Sequence, residues 1–208
     1  MNPVTDIHTH NESAGGNAII NILQQNFNPT TGLYYSAGIH PWYLPEKENW
    51  ENFYDLIRQP QVIAIGEAGL DKLAKAPIHR QLHFFLKQAE IANHLKKPLI
   101  IHSVRTLNEI IRIKSDIKPD NPWIIHGFRG KPEMMEQLIH HGFYLSFGEK
   151  YNDETLKKTP VDRIFLETDE SHIPIDELYL RAATIYESGT ETFRKKVKQN
   201  IDRVFFRG

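Results

Sequence analysis

Val62-Ile63-Ala64-Ile65-Gly66-Glu67 is a short run of apolar residues that ends in a carboxylate. Its length, its β-branched residues and the glycine near its end favour a buried strand over a helix. The same pattern recurs in Leu99-Ile100-Ile101-His102, in Trp123-Ile124-Ile125-His126 and in Ile164-Phe165-Leu166-Glu167-Thr168-Asp169. We therefore expect strands over residues 61–66, 98–102, 122–126, 142–147 and 163–167, with further strands over residues 4–8, 18–23 and 33–39.

Helix-length amphipathic stretches separate the later strands. Residues 77–96 open with proline, carry apolar residues along one face and end in two lysines just before Pro98. Comparable patterns predict helices around residues 50–57 and 107–111, over residues 131–141, and two more over residues 175–206 that break near Gly189. Alternation of strands and helices indicates a mainly parallel sheet, and eight strands favour a TIM-type (β/α) barrel. We expect a single domain over residues 1–208.

The first connections are short for such a fold. Seven residues lie between His10 and Ala18, and nine lie between Leu23 and Leu33, whereas a helical crossover needs about 10–12 residues. We therefore expect a distorted barrel that lacks its first helices. An alternative is that Asn17 caps a helix through Phe27, which would leave seven strands.

Composition narrows the classes of function. The chain has 208 residues, of which 40% are hydrophobic and 25% charged, enough apolar material for a packed core. The absence of cysteine excludes disulfides, thiolate zinc sites and a cysteine nucleophile. A net charge of −1 provides no general attraction for nucleic acid. No leader-like start or membrane-length apolar run is present in the sequence, so we expect a cytoplasmic protein with no membrane association and no obligatory protein partner.

Side chains that can bind metal follow five of the expected strands. They are His8, His10, Glu67, His102, His126 and Asp169. The carboxyl ends of parallel barrel strands converge on one mouth, so we expect these groups to converge as well. Taken singly, either later histidine could be a buried core residue, and either carboxylate could cap a helix or pair with lysine. Their shared position at strand ends predicts a metal site.

The kinds of ligand restrict the ion. Imidazoles and carboxylates without thiolate suit zinc, manganese, iron or nickel, and magnesium less well. Six ligands are too many for one catalytic ion that keeps open positions. They suit two divalent ions about 3.5–4 Å apart with a bridging carboxylate. Glu67 is the expected bridge.

The motifs also resemble those of a known family. The matching segments are Asp6-Ile7-His8-Thr9-His10, Gly38-Ile39-His40-Pro41, Gly66-Glu67-Ala68-Gly69-Leu70-Asp71, Lys97-Pro98-Leu99-Ile100-Ile101-His102-Ser103, His126-Gly127-Phe128-Arg129-Gly130 and Leu166-Glu167-Thr168-Asp169. In this order they resemble the TatD family of metal-dependent deoxyribonucleases, which are TIM-barrel hydrolases. The closing segment Asn200-Ile201-Asp202-Arg203-Val204-Phe205 is similar to the last helix of that family.

The resemblance implies roles for individual residues. It implies one metal at His8, His10, Glu67 and Asp169, and a second at Glu67, His102 and His126. It also implies that Asp169 takes a proton from the attacking water, which makes Glu67 and Asp169 the catalytic carboxylates. His40 would lie near the site, although it could equally be a turn residue before Pro41. Asp71 would hold the tautomer of a ligand histidine, or else be a turn or cap residue.

The chain departs from the family where substrate would enter. The first connection is too short for the usual helix, and Val104 stands where the family has arginine, with Arg105 one place later. Glu170-Ser171 replaces a proline, and an Arg- and Asn-rich loop is missing. Candidate phosphate contacts are Lys72, Arg105, Arg129, Lys131 and Lys150, of which Arg105 and Arg129 are favoured because guanidinium groups suit phosphate. Trp42 and Tyr43 could stack on a base or pack in the core.

These observations predict hydrolysis of phosphodiester bonds, in DNA or a smaller phosphoester, by metal-activated water. One alternative is a two-metal barrel hydrolase acting on a small phosphoester, an amide or a lactone. Many such enzymes bridge their ions with a carboxylated lysine, whereas this chain offers a glutamate. The other alternative is a non-catalytic binding relative, against which the retention of every ligand argues.

Overall fold

The structure is a computed structural model that describes residues 4–23 and 27–206. In chain order its elements are β1 (Asp6–Thr9), β2 (Ala18–Ile22), β3 (Tyr34–Ala37), α1 (Trp50–Ile57), β4 (Val62–Asp71), α2 (Ile78–His94), β5 (Leu99–Val104), α3 (Leu107–Ile117), β6 (Trp123–Ile125), α4 (Pro132–His140), β7 (Tyr144–Phe147), α5 (Asp153–Lys158), a 3-10 turn (Val161–Arg163), β8 (Ile164–Leu166), α6 (Ile175–Ile185) and α7 (Thr190–Phe205). All eight expected strands are therefore present.

The strands form one sheet in the order β1 to β8. Parallel pairing places Ile65 opposite Leu99, and Leu145 opposite Ile164. The last strand also neighbours the first, because a parallel bridge joins Thr9 to Asp169 just beyond β8. This order, with β8 beside β1, confirms the predicted TIM-type (β/α) barrel. The alternative helix from Asn17 through Phe27 is wrong, since residues 18–22 form β2 with apolar side chains buried on both faces; residues 24–26 of that prediction lie outside the described part.

The described residues of the early connections form no helix, as the length of these connections predicts. The described residues between β1 and β2, and those between β2 and β3, contain no helical segment. After β1 the chain turns instead, where the side chain of Asn11 accepts the backbone N–H of Ser13 at 3.0 Å. The carbonyl of Asn11 accepts the N–H of Ala14 at 2.9 Å. An asparagine that bonds its own backbone two residues on is a common turn device and uses fewer residues than a helix.

One helix was not predicted. The six residues of α5 are too few to show helical periodicity, so only the cap identifies it. Asn152 caps it by accepting the backbone N–H of Thr155 at 2.9 Å. Acidic residues occupy its first turn and lysines its last, which complements the helix dipole.

Backbone contacts group the described residues into two compact units. One runs up to Ile20 and from Ile124 onwards. In it α6 packs against α7, with the rings of Tyr179 and Phe193 6.4 Å apart. Helix α7 also packs against β8, with the rings of Phe165 and Phe205 5.6 Å apart. The hydroxyl of Tyr179, on α6, donates to the carbonyl of Thr5 at 2.9 Å. The helix thereby anchors the approach to β1.

The second unit comprises residues 21–123. Its core includes Phe85 and Trp123, whose rings lie 5.6 Å apart. Two buried glutamines of α2 form hydrogen bonds with the backbone at the ends of β3 and β4. Gln88 accepts the N–H of Ile39 at 2.6 Å, and Gln81 accepts the N–H of Asp71 at 2.7 Å. Each glutamine amide also donates to the carbonyl of the same residue, which fixes the ends of β3 and β4.

Within residues 4–23 and 27–206, every helix is too short or too polar to cross a bilayer.

Candidate metal centre

Three histidines and an aspartate lie together in the first unit, and we call them the histidine–aspartate cluster: His8, His10, His126 and Asp169. Asp169 Oδ1 lies 3.7 Å from Nε2 of His8 and 3.6 Å from Nε2 of His10. The rings of His8 and His126 are 4.6 Å apart. His8 is fully buried, whereas His10 and Asp169 are partly open to solvent. His8, His126 and Asp169 each offer a ligand atom within 4.8 Å of the others.

Backbone pairing between the first and last strands places Asp169 between the two N-terminal histidines. Its N–H donates to the carbonyl of His8 at 2.9 Å, and its carbonyl accepts the N–H of His10 at 3.0 Å. Asp169 has a φ of +54°, in the left-handed region that aspartate tolerates better than most residues. The barrel closure itself therefore holds the carboxylate beside both imidazoles.

Asp6 is not part of this cluster, but it accepts hydrogen bonds from the backbone of His8 and from Thr168, next to Asp169. Its Oδ2 accepts the hydroxyl of Thr168 at 2.7 Å, and its Oδ1 accepts the N–H groups of Thr168 at 3.1 Å and His8 at 3.2 Å. Burial raises the pKa of Asp6 to about 7, against the opposing effect of those hydrogen bonds. The side chain ties the start of β1 to the residue just before Asp169.

Glu167 is a partner of the cluster that the sequence analysis missed. It is fully buried, and its Oε1 accepts the N–H of Gly127 at 2.6 Å and lies 3.3 Å from Nδ1 of His126. Burial acts to raise the pKa of Glu167, but the imidazoles of His126 and His8 outweigh it and hold that pKa below its usual value. The available signal was an acidic residue at the end of the apolar run of β8.

A second group lies in the other unit, and we call it the glutamate–histidine cluster: His40, Glu67 and His102. Glu67 Oε1 lies 2.8 Å from Nδ1 of His102 and 3.2 Å from Nε2 of His40. All three side chains are largely buried, and their ligand atoms lie within 4.8 Å of one another. His40 thus contacts Glu67 directly, while its Nδ1 also accepts the N–H of Trp42 in the following turn at 3.1 Å.

Asp71 lies behind this cluster. Its Oδ2 is 2.9 Å from Nε2 of His102 and accepts the indole N–H of Trp42 at 2.6 Å. Burial acts to raise the pKa of Asp71, but hydrogen bonds from His102, the Leu73 N–H and Trp42 hold it below the usual value. A histidine that binds a metal through Nδ1 donates its Nε2–H to a nearby carboxylate, and Asp71 is placed to accept that hydrogen bond.

The backbone of Glu67 is held by a second residue that the sequence analysis missed. Asn21, on β2, accepts the N–H of Glu67 at 2.9 Å and the hydroxyl of Ser36 at 3.1 Å. It is buried among the apolar residues of its strand, and that isolated polar residue was the available signal. Gly38 allows the backbone just after β3 to lie close to that of Glu67, because a Cβ at residue 38 would lie 2.5 Å from the carbonyl oxygen of Glu67.

The candidate phosphate contacts have different surroundings. Arg129 and Lys150 line a cavity of about 220 Å³ whose wall also contains Asp169. Arg105 is exposed directly after β5, whereas Lys72 is in an ion pair with Glu109 at 2.6 Å. A larger cavity of about 670 Å³, lined by His10 and by residues 168–176 among others, also borders Asp169.

The aromatic residues after β3 are not core residues. Trp42 is 56% exposed and Tyr43 63% exposed. The interpretation that they pack in the core is therefore wrong.

The donor atoms fit divalent metal ions. Two ligands bound about 2.1 Å from one ion and about 100–120° apart lie about 3.2–3.6 Å from each other. The Nε2–Oδ1 distances of 3.6 and 3.7 Å in the histidine–aspartate cluster are close to that spacing, whereas Nδ1 of His102 and Oε1 of Glu67 lie at a hydrogen-bond distance of 2.8 Å. Imidazole and carboxylate donors without thiolate suit zinc, manganese, iron or nickel.

A family model described as TatD related DNase matches residues 9–205. The chain belongs to the TatD family. The match confirms the resemblance noted in the sequence, and it covers all six proposed ligands except His8.

Curated relatives of this TatD protein include hydrolases and nucleases. An uncharacterized metal-dependent hydrolase of Buchnera aphidicola is 33% identical over 148 residues, which are 66% of this chain and 56% of that protein. The deoxyribonuclease Tat-D of Schizosaccharomyces pombe is 32% identical over 118 residues, 52% of this chain and 38% of that protein. The human 3′-5′ RNA nuclease TATDN2 is 32% identical over 153 residues, 66% of this chain and 20% of that protein. The chain spans 56%, 64% and 61% of three bacterial metal-dependent hydrolases that it matches.

Solved structures agree on the fold. The TatD homologue YjjV of Escherichia coli has a TM-score of 0.82 at 19% identity, covering 99% of this chain and 98% of that one. A TatD family hydrolase of Entamoeba histolytica has a TM-score of 0.78 at 16% identity, covering 98% of each chain. The TatD chain described here therefore has the barrel of those proteins.

Proposed function

We propose that this protein is a metal-dependent hydrolase that cleaves phosphodiester bonds, with DNA as its substrate. The observation that carries the proposal is the pair of imidazole–carboxylate clusters, each at carboxyl ends of strands of the eight-stranded sheet in a TatD-family chain. The Tat-D deoxyribonuclease and the RNA nuclease among the relatives support a nucleic acid substrate.

The ligand assignment follows from the family resemblance and from the chemistry of the donors. We assign one divalent ion to His8, His10, Glu67 and Asp169, and a second to Glu67, His102 and His126. Zinc, manganese, iron, nickel and magnesium are the candidate metals. When bound, such ions would lower the pKa of water and offset negative charge on the phosphodiester.

The protein's own groups supply the remaining chemistry. The carboxylate of Asp169 is 27% exposed, so attacking water can reach it and transfer a proton. Asp71 and Glu167 orient the imidazoles of His102 and His126 through hydrogen bonds. Arg129 and Lys150 offer positive charge for a phosphate beside Asp169. Local cations matter because the net charge of the chain is only −1.

Nuclease assays with single-stranded and double-stranded DNA and added divalent metal test the proposal. We expect Glu67→Ala and Asp169→Asn to lower the rate by a factor on the order of 100 or more. The matched controls are Glu154→Ala and Asp202→Asn, which remove exposed carboxylates from helical ion pairs. Cleavage that persists in both site variants, or that survives a strong chelator, would contradict the proposal.

A further inference from the structure

Trp42 is a large aromatic residue held in a fixed but exposed position. It follows Pro41 in a turn in which Tyr43 donates its N–H to the carbonyl of His40 at 3.0 Å. Proline at the second position of such a turn restricts the backbone. The backbone N–H of Trp42 donates to Nδ1 of His40 at 3.1 Å. The turn is thus fixed to the glutamate–histidine cluster, while 56% of Trp42 remains exposed.

The side chain of Trp42 is fixed as well. Its only polar atom, the indole nitrogen, donates to Oδ2 of Asp71 at 2.6 Å, and the same oxygen lies 2.9 Å from Nε2 of His102. The indole therefore has its edge tied to the residue that orients a proposed ligand. Since the N–H is used, what the ring can offer a ligand is its apolar π face.

Two other exposed apolar residues either follow Trp42 in the chain or bond the same Asp71 carboxylate. Tyr43 is 63% exposed and Leu73 is 58% exposed, and the N–H of Leu73 donates to Oδ1 of Asp71 at 2.7 Å. Aromatic neighbours connect this rim to the cluster, with the ring of His40 5.6 Å from Tyr43 and 4.5 Å from His102. A planar, uncharged group that reaches the glutamate–histidine cluster would meet Trp42 at the edge of that cluster.

We propose that Trp42 is a stacking platform for a nucleobase of the substrate, which makes it a specificity-determining residue for base-bearing phosphoesters. This inference rests on the proposed phosphodiester hydrolysis. A nucleobase matches the ring because every base has a flat π face and stacks on an aromatic side chain whatever its sequence. Orientation by Asp71 and by the turn reduces the conformational entropy lost when a base binds.

Equilibrium binding separates the base from the phosphate. We would titrate the zinc-loaded protein with adenosine 5′-monophosphate and with ribose 5-phosphate, which lacks the base, and follow the heat of binding. The wild-type protein is expected to bind the nucleotide about 5- to 100-fold more tightly, the range expected for one stacked base. Trp42→Phe keeps an aromatic face and should retain most of that preference, whereas Trp42→Leu should lose it.

The two Trp42 variants both lack the indole N–H, so their difference reports stacking rather than the bond to Asp71. Leu73→Ala is the matched control, since it removes a comparably exposed apolar side chain from the same rim and should keep the preference. Equal affinities for the two ligands, no binding by either, or an unchanged preference in Trp42→Leu would overturn the inference. A preference for the nucleotide in a protein that cleaves no phosphodiester would instead contradict the proposed function and leave the stacking role standing.

Discussion

Oδ2 of Asp71 lies 2.9 Å from Nε2 of His102, on the side of the imidazole away from Glu67. Asp71 is 1% exposed and receives three donors in all, from His102, Trp42 and the backbone of Leu73. These hydrogen bonds therefore fix the position of the Asp71 carboxylate. The imidazole is oriented so that Nδ1 points at Glu67, 2.8 Å from its Oε1.

Replacing Asp71 with asparagine tests this orientation. The amide has nearly the same shape but a weaker, neutral acceptor, so the Nε2–H tautomer of His102 loses its preference. We expect affinity for zinc to fall about 10- to 100-fold, measured by competition with a chromogenic chelator. Asp202→Asn, which changes an exposed aspartate in α7, should leave that affinity unchanged. Equal zinc affinities in Asp71→Asn and wild type would show that the contact has no part in metal binding.

Glu167→Gln makes the corresponding change beside His126. The glutamine carbonyl can still accept the N–H of Gly127, so the substitution isolates the effect on the imidazole. We again expect a loss of about 10- to 100-fold in metal affinity. Circular dichroism and a thermal melt of the metal-free variant would show that the fold is kept. A variant that binds zinc as tightly as wild type would assign Glu167 a purely structural role.

The close approach of β4 and β5 depends on Gly69. A Cβ at that position would lie 1.9 Å from the carbonyl oxygen of His102, and a backbone oxygen in a strand has little freedom to move. We expect Gly69→Ala to lower the free energy of unfolding by about 3 kcal/mol or more. Gly189→Ala is the control, since its Cβ would meet only a side-chain atom at 3.8 Å. Urea denaturation measures both, and similar stabilities in the two variants would contradict the packing argument.

Lys97 predicts a pH dependence of stability. Its ammonium group donates to the carbonyls of Ile57 and Val62, and burial lowers its pKa to about 8 from an ordinary value of 10.5. Between these values the unfolded chain binds more protons than the folded one, so this group makes stability rise as pH increases from about 8 to 10.5.

In Lys97→Met that rise should be weaker, although the variant is less stable throughout because two carbonyls lose a donor. Urea denaturation at pH 8, 9 and 10 gives the difference in slope, to which other titrating groups contribute equally in both proteins. Parallel stability profiles for wild type and Lys97→Met would refute this account of Lys97.

The positions of the strands and proposed ligands could be inferred because both signals are local. Apolar runs such as Leu99–Ile101 are visible in the chain, and Glu67, His102 and His126 follow such runs directly. The supporting residues could not be inferred in this way. Glu167 acts on His126 from 41 residues away, and Asn21 holds Glu67 from 46 residues away. Such contacts depend on register between strands, which is decided by packing of the whole sheet.

Trp42 illustrates the same limit at the surface. Its sequence neighbours are compatible with burial or exposure, because a turn after a barrel strand can point its side chains into the core or into solvent. Only the contact with Asp71, 29 residues later, shows that the ring is fixed with most of its surface in solvent.

We propose that two divalent ions support phosphodiester hydrolysis, and that they are held by His8, His10, Glu67, His102, His126 and Asp169. The most direct test measures DNA cleavage by the metal-free protein as zinc or manganese is added back in known equivalents per chain. We predict no cleavage without metal and a rate that rises until two equivalents are bound. Cleavage by the metal-free protein, or no cleavage with two equivalents of any candidate metal bound, would contradict two-metal catalysis.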